Sequence, residues 1–328
     1  MEYTKELIGN NLLQHYLQKQ VKSGTVHHAN LIIGPEHIGK TTLISNLIAD
    51  LLCTQIEDEL SCLARKKRGL CNSCSMLKRD NHPNVNVISP ESSGRISISR
   101  MRDEISSLNM SGFLPGKRVI VIHQADCMTR EASNALLKVL EEPNDNIFFF
   151  LLTENSHEIL PTIRSRCAHM RMNLVSKEEL RKAYDLTDDS TKVIQGLPGL
   201  AHKFLDKRKQ LAYQEEIIQW ILLLTEKIYS KRLVIGRKIW PKTVSREHLI
   251  NYLSILEDVC RDNLMLQMNV NDSVRYVFAT KELQDLQRKT SVDDSMKALE
   301  LINQYTIKLN QPIQAKILLD QILLKIYR

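Results

Sequence analysis

The fold is decided by residues 31–42, which read LIIGPEHIGKTT. An apolar run enters this stretch, and residues 34–41 fit the phosphate-binding pattern G-x-x-x-x-G-K-[ST]. In such a loop, glycines allow backbone N–H groups to face phosphates at the N-terminus of a helix. The lysine supplies a cation and the following threonine a hydroxyl for Mg²⁺. The stretch therefore predicts a site for ATP and Mg²⁺, and the alternative is a vestigial loop that binds nothing. The predicted binding residues are Gly34, Gly39, Lys40, Thr41 and Thr42.

Short β-type runs alternate with helical patterns from the N-terminus to about residue 170. The helical pattern after the loop, 41–52, places its apolar side chains on one face. Alternation of this kind, with nearly continuous apolar strands, is typical of a parallel sheet covered by helices. We therefore predict an α/β P-loop domain with strands at 30–33, 85–88, 118–122 and 147–153.

The pattern changes after Cys167, where amphipathic helices replace strands. We predict the P-loop domain over 1–174 with a cysteine module inserted at about 53–74, a small helical domain over 175–207, and an all-α C-terminal domain over 208–328. One predicted helix has an apolar face made of Ile217, Ile218, Ile221, Leu222, Thr225 and Ile228. The last has Ala315, Leu318, Leu319, Ile322, Leu323 and Ile326 on one face, with Pro312 near its start.

The strand predicted at 118–122 ends without acidic residues. Phosphoryl transfer requires an acid that holds the metal and a group that orients the attacking water. At this point the chain has His123 and Gln124, which carry no fixed negative charge. Asp126 lies three residues past His123 and would restore the acid only if the strand end were shifted. The sequence therefore predicts a nucleotide site that does not hydrolyse its nucleotide.

Composition sets broad limits on the class of protein. The 328-residue chain is 43% hydrophobic and 25% charged, with a formal net charge of +7, which is compatible with a nucleic-acid partner but common without one. No stretch resembles a secretory signal, and no apolar run approaches the roughly 20 residues of a membrane span. We therefore predict a cytosolic protein with no membrane partner, in which the seven cysteines are thiols or metal ligands rather than disulfides.

Four of these cysteines, Cys53, Cys62, Cys71 and Cys74, fall within 22 residues. Four thiolates can close a tetrahedral structural Zn²⁺ site, which has no open position for catalysis. Only the last pair has the C-x-x-C spacing, so free thiols are the alternative. The basic loop 65–68 in this module either touches a phosphate backbone or is a solvated turn.

Several segments together resemble the clamp-loader branch of the AAA+ ATPases, and within it the delta-prime class of bacterial DNA polymerase III subunits. The match covers about residues 9–170 and is thin beyond, where only 196–199 and 309–312 are similar. The segments that carry it, in order, are His28-Ala29, Asn81-His82-Pro83-Asn84, the block 132–143 reading ASNALLKVLEEP, and the block 160–167 reading LPTIRSRC.

The resemblance implies a nucleotide-binding domain, a helical lid and a helical collar that joins the subunits. It implies that Arg166, in the Ser-Arg-Cys triplet, is an arginine finger that reaches the nucleotide of the neighbouring subunit; pairing with a local carboxylate is the alternative. It also implies a zinc module at the four cysteines, although Arg68 stands where the family has a further cysteine. The implied partners are the other clamp-loader subunits (gamma/tau and delta), the sliding clamp and primer-template DNA, in the bacterial cytosol and associated with the nucleoid.

Two departures favour the non-hydrolysing delta-prime role over the motor subunits that the chain also resembles. The acids are missing at His123 and Gln124, and 196–201 contains no arginine for the chain's own nucleotide. The chain is then part of a polymerase holoenzyme but neither a polymerase nor a competent ATPase by itself. An ATP-hydrolysing motor subunit of the same complex is the alternative. A small-molecule P-loop kinase would leave the Ser-Arg-Cys and Leu-Glu-Glu-Pro blocks without a role, and no helix or ribbon suited to zinc-based DNA readout is evident.

Overall fold

The computed structural model describes residues 1, 3, 6–55, 60–65, 69–91, 93–107, 114–143, 146–239, 244, 246–308 and 315–327. Tertiary contacts divide the chain into two compact units. Unit 1 comprises residues 1–183 and 196–200, and unit 2 comprises 184–195 and 201–328. This division into two units does not test the predicted division into three domains, which stays a prediction. Across the described ranges, the helices are all too short or too polar to cross a bilayer.

Unit 1 is built on a parallel sheet of five strands in the order β2-β3-β4-β1-β5. The four predicted strands are confirmed to within one residue. The fifth was missed because its sequence, Ala-His-Met-Arg, is short and has one buried side chain. The strands are β1 (Ala29–Ile33), β2 (Val85–Ile88), β3 (Arg118–Ile122), β4 (Ile147–Thr153) and β5 (Ala168–Arg171).

Helices cover this sheet because their apolar positions recur with helical spacing. In α2 the predicted face is confirmed, since Leu43, Ile44, Leu47, Ile48 and Leu51 are all buried. The helices up to the start of unit 2 are α1 (Asn11–Ser23), α2 (Lys40–Leu52), α3 (Asn72–Lys78), α4 (Ile98–Ser107), α5 (Arg130–Glu141), α6 (Pro161–Arg164) and α7 (Lys177–Tyr184).

The central strands β1, β3 and β4 are buried along nearly their whole length, as expected for strands covered on both faces. One core cluster joins alternate residues of these strands, such as Leu31, Ile120 and Phe149, to the inner faces of α4 and α5. Parallel strands end at the same edge of a sheet, so the loops after β1, β3 and β4 lie side by side. The predicted site residues 34–39 and 123–126 lie in these loops, and Lys40 and Thr41 lie in the first turn of α2.

The described residues of unit 2 form helices and short 3₁₀ turns. The face predicted for α10 is confirmed only in part: Ile217, Ile221 and Thr225 are buried, whereas Leu222 is 39% and Ile228 50% exposed. Trp220, Leu223 and Leu224, which were not predicted, are also buried. The error arose because α10 packs against α11, α12 and α13 and is therefore buried on more than one side. The helices after α7 are α8 (Asp188–Ile194), α9 (Pro198–Leu205), α10 (Lys207–Thr225), α11 (Tyr229–Ile239), α12 (Arg246–Gln267), α13 (Thr280–Lys289), α14 (Val292–Lys308) and α15 (Ala315–Lys325). The first three residues of α9 belong to unit 1.

The apolar face predicted for the last helix is confirmed from Leu318 to Ile326, all of whose predicted members are buried. Ala315 is half-buried, and the predicted helix entry at 309–312 lies outside the described residues. The C-terminal end of α15 is capped by the buried Arg232, whose guanidinium donates to the carbonyl oxygens of Leu323 (2.9 Å) and Ile326 (2.7 Å). A cation at this end also interacts favourably with the helix dipole.

A buried carboxylate fixes the loop that follows α12. Asp262 is fully buried and accepts the backbone N–H groups of Arg275 (2.9 Å) and Tyr276 (2.7 Å). Burial raises the pKa of Asp262 to about 6, although these donors and Arg261 favour its charged form. Arg275 in turn pairs with Asp258. These contacts satisfy the buried carboxylate of Asp262 and indicate a structural role for it.

Candidate functional site

The phosphate-binding pattern forms a loop between β1 and α2. The loop starts at Gly34, whose N–H donates to the carbonyl oxygen of Thr153 at the end of β4 (3.2 Å). A Cβ atom at Gly34 would lie 3.2 Å from Ile38 Cγ2 and from Met172 Cβ, so a larger residue would crowd the loop. Gly39, at the start of α2, has a φ of 104°, which favours glycine. The backbone conformation thus favours glycine at position 39, and the close neighbours of Gly34 favour a small residue there.

Lys40 is held by the loop itself. Its ammonium donates to the carbonyl oxygens of Gly34 (2.7 Å) and Pro35 (2.9 Å). Burial lowers the pKa of Lys40, while the carboxylates of Glu154, Glu36 and Asp126 act in the opposite direction. An anion at the loop would therefore meet a cation that is already placed above the loop backbone.

The N-terminus of α2 offers further donors. No described side chain caps this helix end, and Thr41 and Thr42 are both half-buried. The first N–H groups of a helix have no partner within the helix and, with the helix dipole, favour an anion. Lys40, these N–H groups and the Thr41 hydroxyl thus fit a nucleotide phosphate with its Mg²⁺.

A second segment of unit 1 is fastened to the loop. The N–H of Gly199 donates to the carbonyl oxygen of His37 (2.8 Å). A Cβ atom at Gly199 would lie 2.8 Å from that oxygen and 2.9 Å from His37 Cβ, a distance that real side chains do not tolerate. The sequence placed Gly199 in a break between helices but gave no sign of this contact. The glycine therefore has a packing role beside the phosphate loop.

The end of β3 lies in the same group of loops. β3 ends at Ile122 as predicted, and the N–H of His123 donates to the carbonyl oxygen of Ile88 (2.8 Å). Burial lowers the pKa of His123, and the positive charges of the N-terminal amine and of Lys40 lower it further, so all three disfavour a charged imidazole. Gln124 is exposed, with a φ of 47°. Neither residue supplies a negative charge.

Asp126 does not replace the acid that is absent at the end of β3, because the strand ends at Ile122 as predicted and is not shifted. It lies in a 3₁₀ turn, Ala125–Cys127, where its carboxylate accepts a 2.8 Å hydrogen bond from the Thr153 hydroxyl. Asp126 therefore faces the end of β4. It nevertheless lies close enough to Lys40 to influence the lysine's pKa, as does Glu154, the residue after β4.

Arg166 lies in the turn that follows α6. Its backbone N–H donates to the carbonyl oxygen of Ile163, which is fully buried. The guanidinium donates through Nη1 to the carbonyl oxygen of Thr162 (2.8 Å) and through Nη2 to Glu141 Oε1 (2.8 Å). Its side chain is 35% exposed. The local carboxylate partner considered as an alternative thus exists, and the role of the arginine finger stays a prediction.

The four clustered cysteines meet in one place. Their Sγ atoms all lie within 4.8 Å of one another, with 3.6 Å from Cys53 to Cys62 and 4.0 Å from Cys53 to Cys71. Cys53 follows the end of α2, Cys71 caps the start of α3, and Cys74 lies in its first turn. Cys62, whose spacing departs from the usual pattern, is therefore brought to the other three.

This cluster fits a tetrahedral metal. Ligand sulfurs at about 2.3 Å from Zn²⁺ lie about 3.8 Å from one another, close to the distances here. The backbone N–H groups of Cys62 and Cys74 donate to the sulfurs of Cys53 and Cys71, both at 3.4 Å, and such donors stabilise thiolates. Three of the cysteines are buried and Cys53 is half-buried. Of the basic loop 65–68, residues 66–68 lie outside the described residues.

Comparisons with known proteins identify relatives of this chain. The family model described as "DNA polymerase III, delta subunit" matches residues 9–176, just over half of the chain. The delta' subunit of DNA polymerase III from Pseudomonas aeruginosa is 32% identical over 194 residues, covering 57% of each chain. A gamma subunit from Buchnera aphidicola (Schizaphis graminum) is 29% identical over 176 residues, covering 54% of this chain and 46% of that one.

These matches span about half the length of the curated relatives. Among solved structures, a "gamma subunit-related protein" of DNA polymerase III from Thermotoga maritima covers 95% of this chain and 99% of that one, at 21% identity and a TM-score of 0.45. The family match includes the phosphate loop, the cysteine cluster, the end of β3 and Arg166. The chain belongs to the family of DNA polymerase III delta-prime subunits.

Proposed function

We propose that this protein is a non-hydrolysing subunit of a sliding-clamp loader, which binds nucleotide and supplies an arginine to the active site of a neighbouring motor subunit. One observation carries the proposal: a phosphate loop lies beside a strand end followed by His123 and Gln124, neither of which is an acid. The cationic half of an ATPase site is thus present without the acids at the end of β3.

The chemistry of hydrolysis accounts for the division of roles. Lys40 and the N-terminus of α2 suffice to bind phosphates, because binding needs only donors and positive charge. Hydrolysis also needs a carboxylate on the metal and a positioned water. Loss of a general base alone costs about 10²–10⁴ in rate. The loop therefore binds ATP and leaves it intact.

Arg166 suits a role at the active site of a neighbouring subunit because its side chain is always charged and is partly exposed. A guanidinium is always protonated and binds phosphate oxygens through a fork of donors. Its side chain is one-third exposed and lies in a turn anchored by the buried Ile163. The two hydrogen bonds that Arg166 makes leave other N–H groups of the guanidinium free to reach a triphosphate.

The partners proposed for this chain are the gamma/tau and delta subunits of the loader, and through the assembled complex the sliding clamp and primer-template DNA. The net charge of +7 is compatible with the DNA part of this proposal but modest. Such an assembly acts in the bacterial cytosol, at the nucleoid.

We also propose that the four clustered cysteines hold a structural Zn²⁺. They join the end of α2 to the start of α3, so the metal would fix these two helix ends to each other. A site closed by four thiolates leaves no coordination position for a substrate.

A motor subunit remains the second candidate function, because Asp126 and Glu154 lie near Lys40. One of these carboxylates would then have to hold Mg²⁺. Asp126 is hydrogen-bonded to Thr153, and it comes from the turn after β3 rather than from the strand end. The end-of-strand geometry thus favours the non-hydrolysing role.

Lys40→Ala separates the two candidates. We expect the isolated variant to bind ATP about ten- to hundredfold more weakly than the wild type, because a hydrogen bond to a charged group contributes about 1.5–3 kcal/mol. In a complex reconstituted with gamma and delta subunits, the same variant is expected to leave clamp-stimulated ATP turnover unchanged. Calorimetric titration and a steady-state ATPase assay measure the two quantities.

Lys177→Ala, at the exposed start of α7, is the matched control for loss of a lysine. Failure of the wild type to bind ATP would show a vestigial loop, and equally tight binding by Lys40→Ala would show that Lys40 does not contact the nucleotide. A fall in the turnover of the complex with Lys40→Ala, at unchanged assembly size, would instead favour the motor.

A further inference from the structure

We infer that Glu141 is a positioning residue for Arg166: it orients the guanidinium before the neighbouring subunit's triphosphate arrives. The inference rests on the proposed role of Arg166 in trans and adds a residue to it. It starts from the 2.8 Å ion pair between Arg166 Nη2 and Glu141 Oε1, which joins two residues 25 positions apart in the chain.

The ion pair connects the two most distinctive sequence blocks of the chain. Glu141 is the first glutamate of Leu140-Glu141-Glu142-Pro143, and Arg166 is the centre of Ser165-Arg166-Cys167. The sequence gives no sign that these blocks meet. Their contact gives a physical reason for a glutamate at position 141. The position of this residue in α5 gives no such reason.

The fold alone would disfavour an acid there, since Glu141 is the last residue of α5. The C-terminal end of a helix carries partial negative charge, so a carboxylate at this end is unfavourable unless a cation compensates it. Arg166 is such a cation. Glu142, the next residue, is also exposed, but it forms no ion pair with any residue that the structure describes.

The helix end that carries Glu141 and the turn that carries Arg166 both pack against the same hydrophobic core. Leu136 and Leu140 anchor the end of α5, and both are buried in the cluster beneath the sheet. Ile163 belongs to the same cluster, and Cys167 packs against it on the other side of Arg166. The backbones that carry the two charges are therefore fixed relative to each other, so the pair defines a direction for the guanidinium.

The ion pair leaves Arg166 able to reach a phosphate, so Glu141 is better suited to orient the guanidinium than to block it. Glu141 and the carbonyl oxygen of Thr162 each accept one hydrogen bond from Arg166 and leave its remaining N–H groups available. The pair is also accessible, with side chains 35% and 51% exposed, and such pairs contribute little to folding stability. A small displacement of a catalytic group is by contrast costly, since an error of about 1 Å can cost about 10²-fold in rate.

The test is ATP turnover in a reconstituted complex in which only the motor site facing Arg166 is active. We expect Glu141→Ala to lower kcat at this site about 10- to 100-fold with little change in KM. Glu141→Gln keeps an oxygen that can accept from Nη2 and is expected to retain more activity than Glu141→Ala. Glu142→Gln is the matched control for loss of a neighbouring negative charge and is expected to behave as wild type.

A cycle with Arg166→Ala separates this inference from the proposed function. If Glu141 acts through Arg166, Glu141→Ala will cause no further loss once Arg166 is alanine. A normal effect of Arg166→Ala with none of Glu141→Ala would overturn the inference alone, as would faster turnover in Glu141→Ala. No effect of Arg166→Ala would overturn the proposed function. Unchanged melting temperatures and assembly sizes establish that the variants are folded.

Discussion

In a reconstituted clamp loader, Arg166→Ala is expected to slow ATP hydrolysis at the neighbouring subunit by about 10³-fold or more. The physical reason is that an arginine supplied in trans stabilises the charge that develops on the transferring phosphoryl group, which contributes about 10³–10⁵ in rate. Removal of this charge does not disturb the core, because the side chain is one-third exposed and its ion pair is near the surface. The isolated variant is therefore expected to fold with an unchanged melting temperature.

Several motor sites in one complex would dilute the effect, so the measurement needs a complex in which only the adjacent motor subunit has an intact phosphate loop. Single-turnover hydrolysis then reports the chemical step at that site. Arg130→Ala, at the exposed far end of α5, is the matched control for loss of an arginine. Turnover equal to that of Arg130→Ala, in a complex of normal size, would show that Arg166 has no role in trans.

Removal of metal from the cysteine cluster is expected to have the largest effect on stability. The purified chain is expected to contain about one equivalent of zinc and Cys74→Ser to lose it, because the fourth thiolate closes the tetrahedron. Structural zinc contributes about 10–16 kcal/mol of apparent binding free energy in small zinc-finger peptides. In this larger domain part of that free energy would appear as a lower melting temperature of unit 1 after Cys74→Ser or after chelation.

Elemental analysis and thermal unfolding, with and without a chelator, measure both effects. Cys127→Ser is the matched control, since Cys127 lies outside the cluster. Less than about half an equivalent of zinc in protein purified without chelators would contradict the metal site. A chelator that removes zinc without changing the melting temperature would contradict its structural role.

The sequence predicted the part of the fold that depends on local patterns. Strands β1, β3 and β4 have apolar runs typical of a covered sheet, and the phosphate-binding pattern identifies the strand before it and the helix after it. Cys62 was also assigned to the cluster despite its unusual spacing, and the structure brings it within 3.6 Å of Cys53. These predictions succeeded because periodicity and motif spacing are properties of short segments.

Features that depend on packing between segments far apart in the chain could not be predicted from the sequence. β5 has too few apolar residues to signal a strand, and it forms because β1 offers an open edge. α10 packs against several helices and is therefore buried on more than one side, so its buried positions do not form a single apolar stripe in the sequence. The contacts of Arg166 with Glu141 and of Gly199 with His37 join segments far apart in the chain, and only the fold brings them together.

The most direct test of the central claim is ATP turnover by the isolated protein, assayed with Mg²⁺ beside Lys40→Ala. The claim is that this chain provides cationic groups to nucleotides but has no acid at the end of β3, where His123 and Gln124 lie. We expect bound ATP to be recovered intact and turnover to equal the background of the Lys40→Ala variant. Sustained hydrolysis over many turnovers, abolished by Lys40→Ala, would contradict the claim.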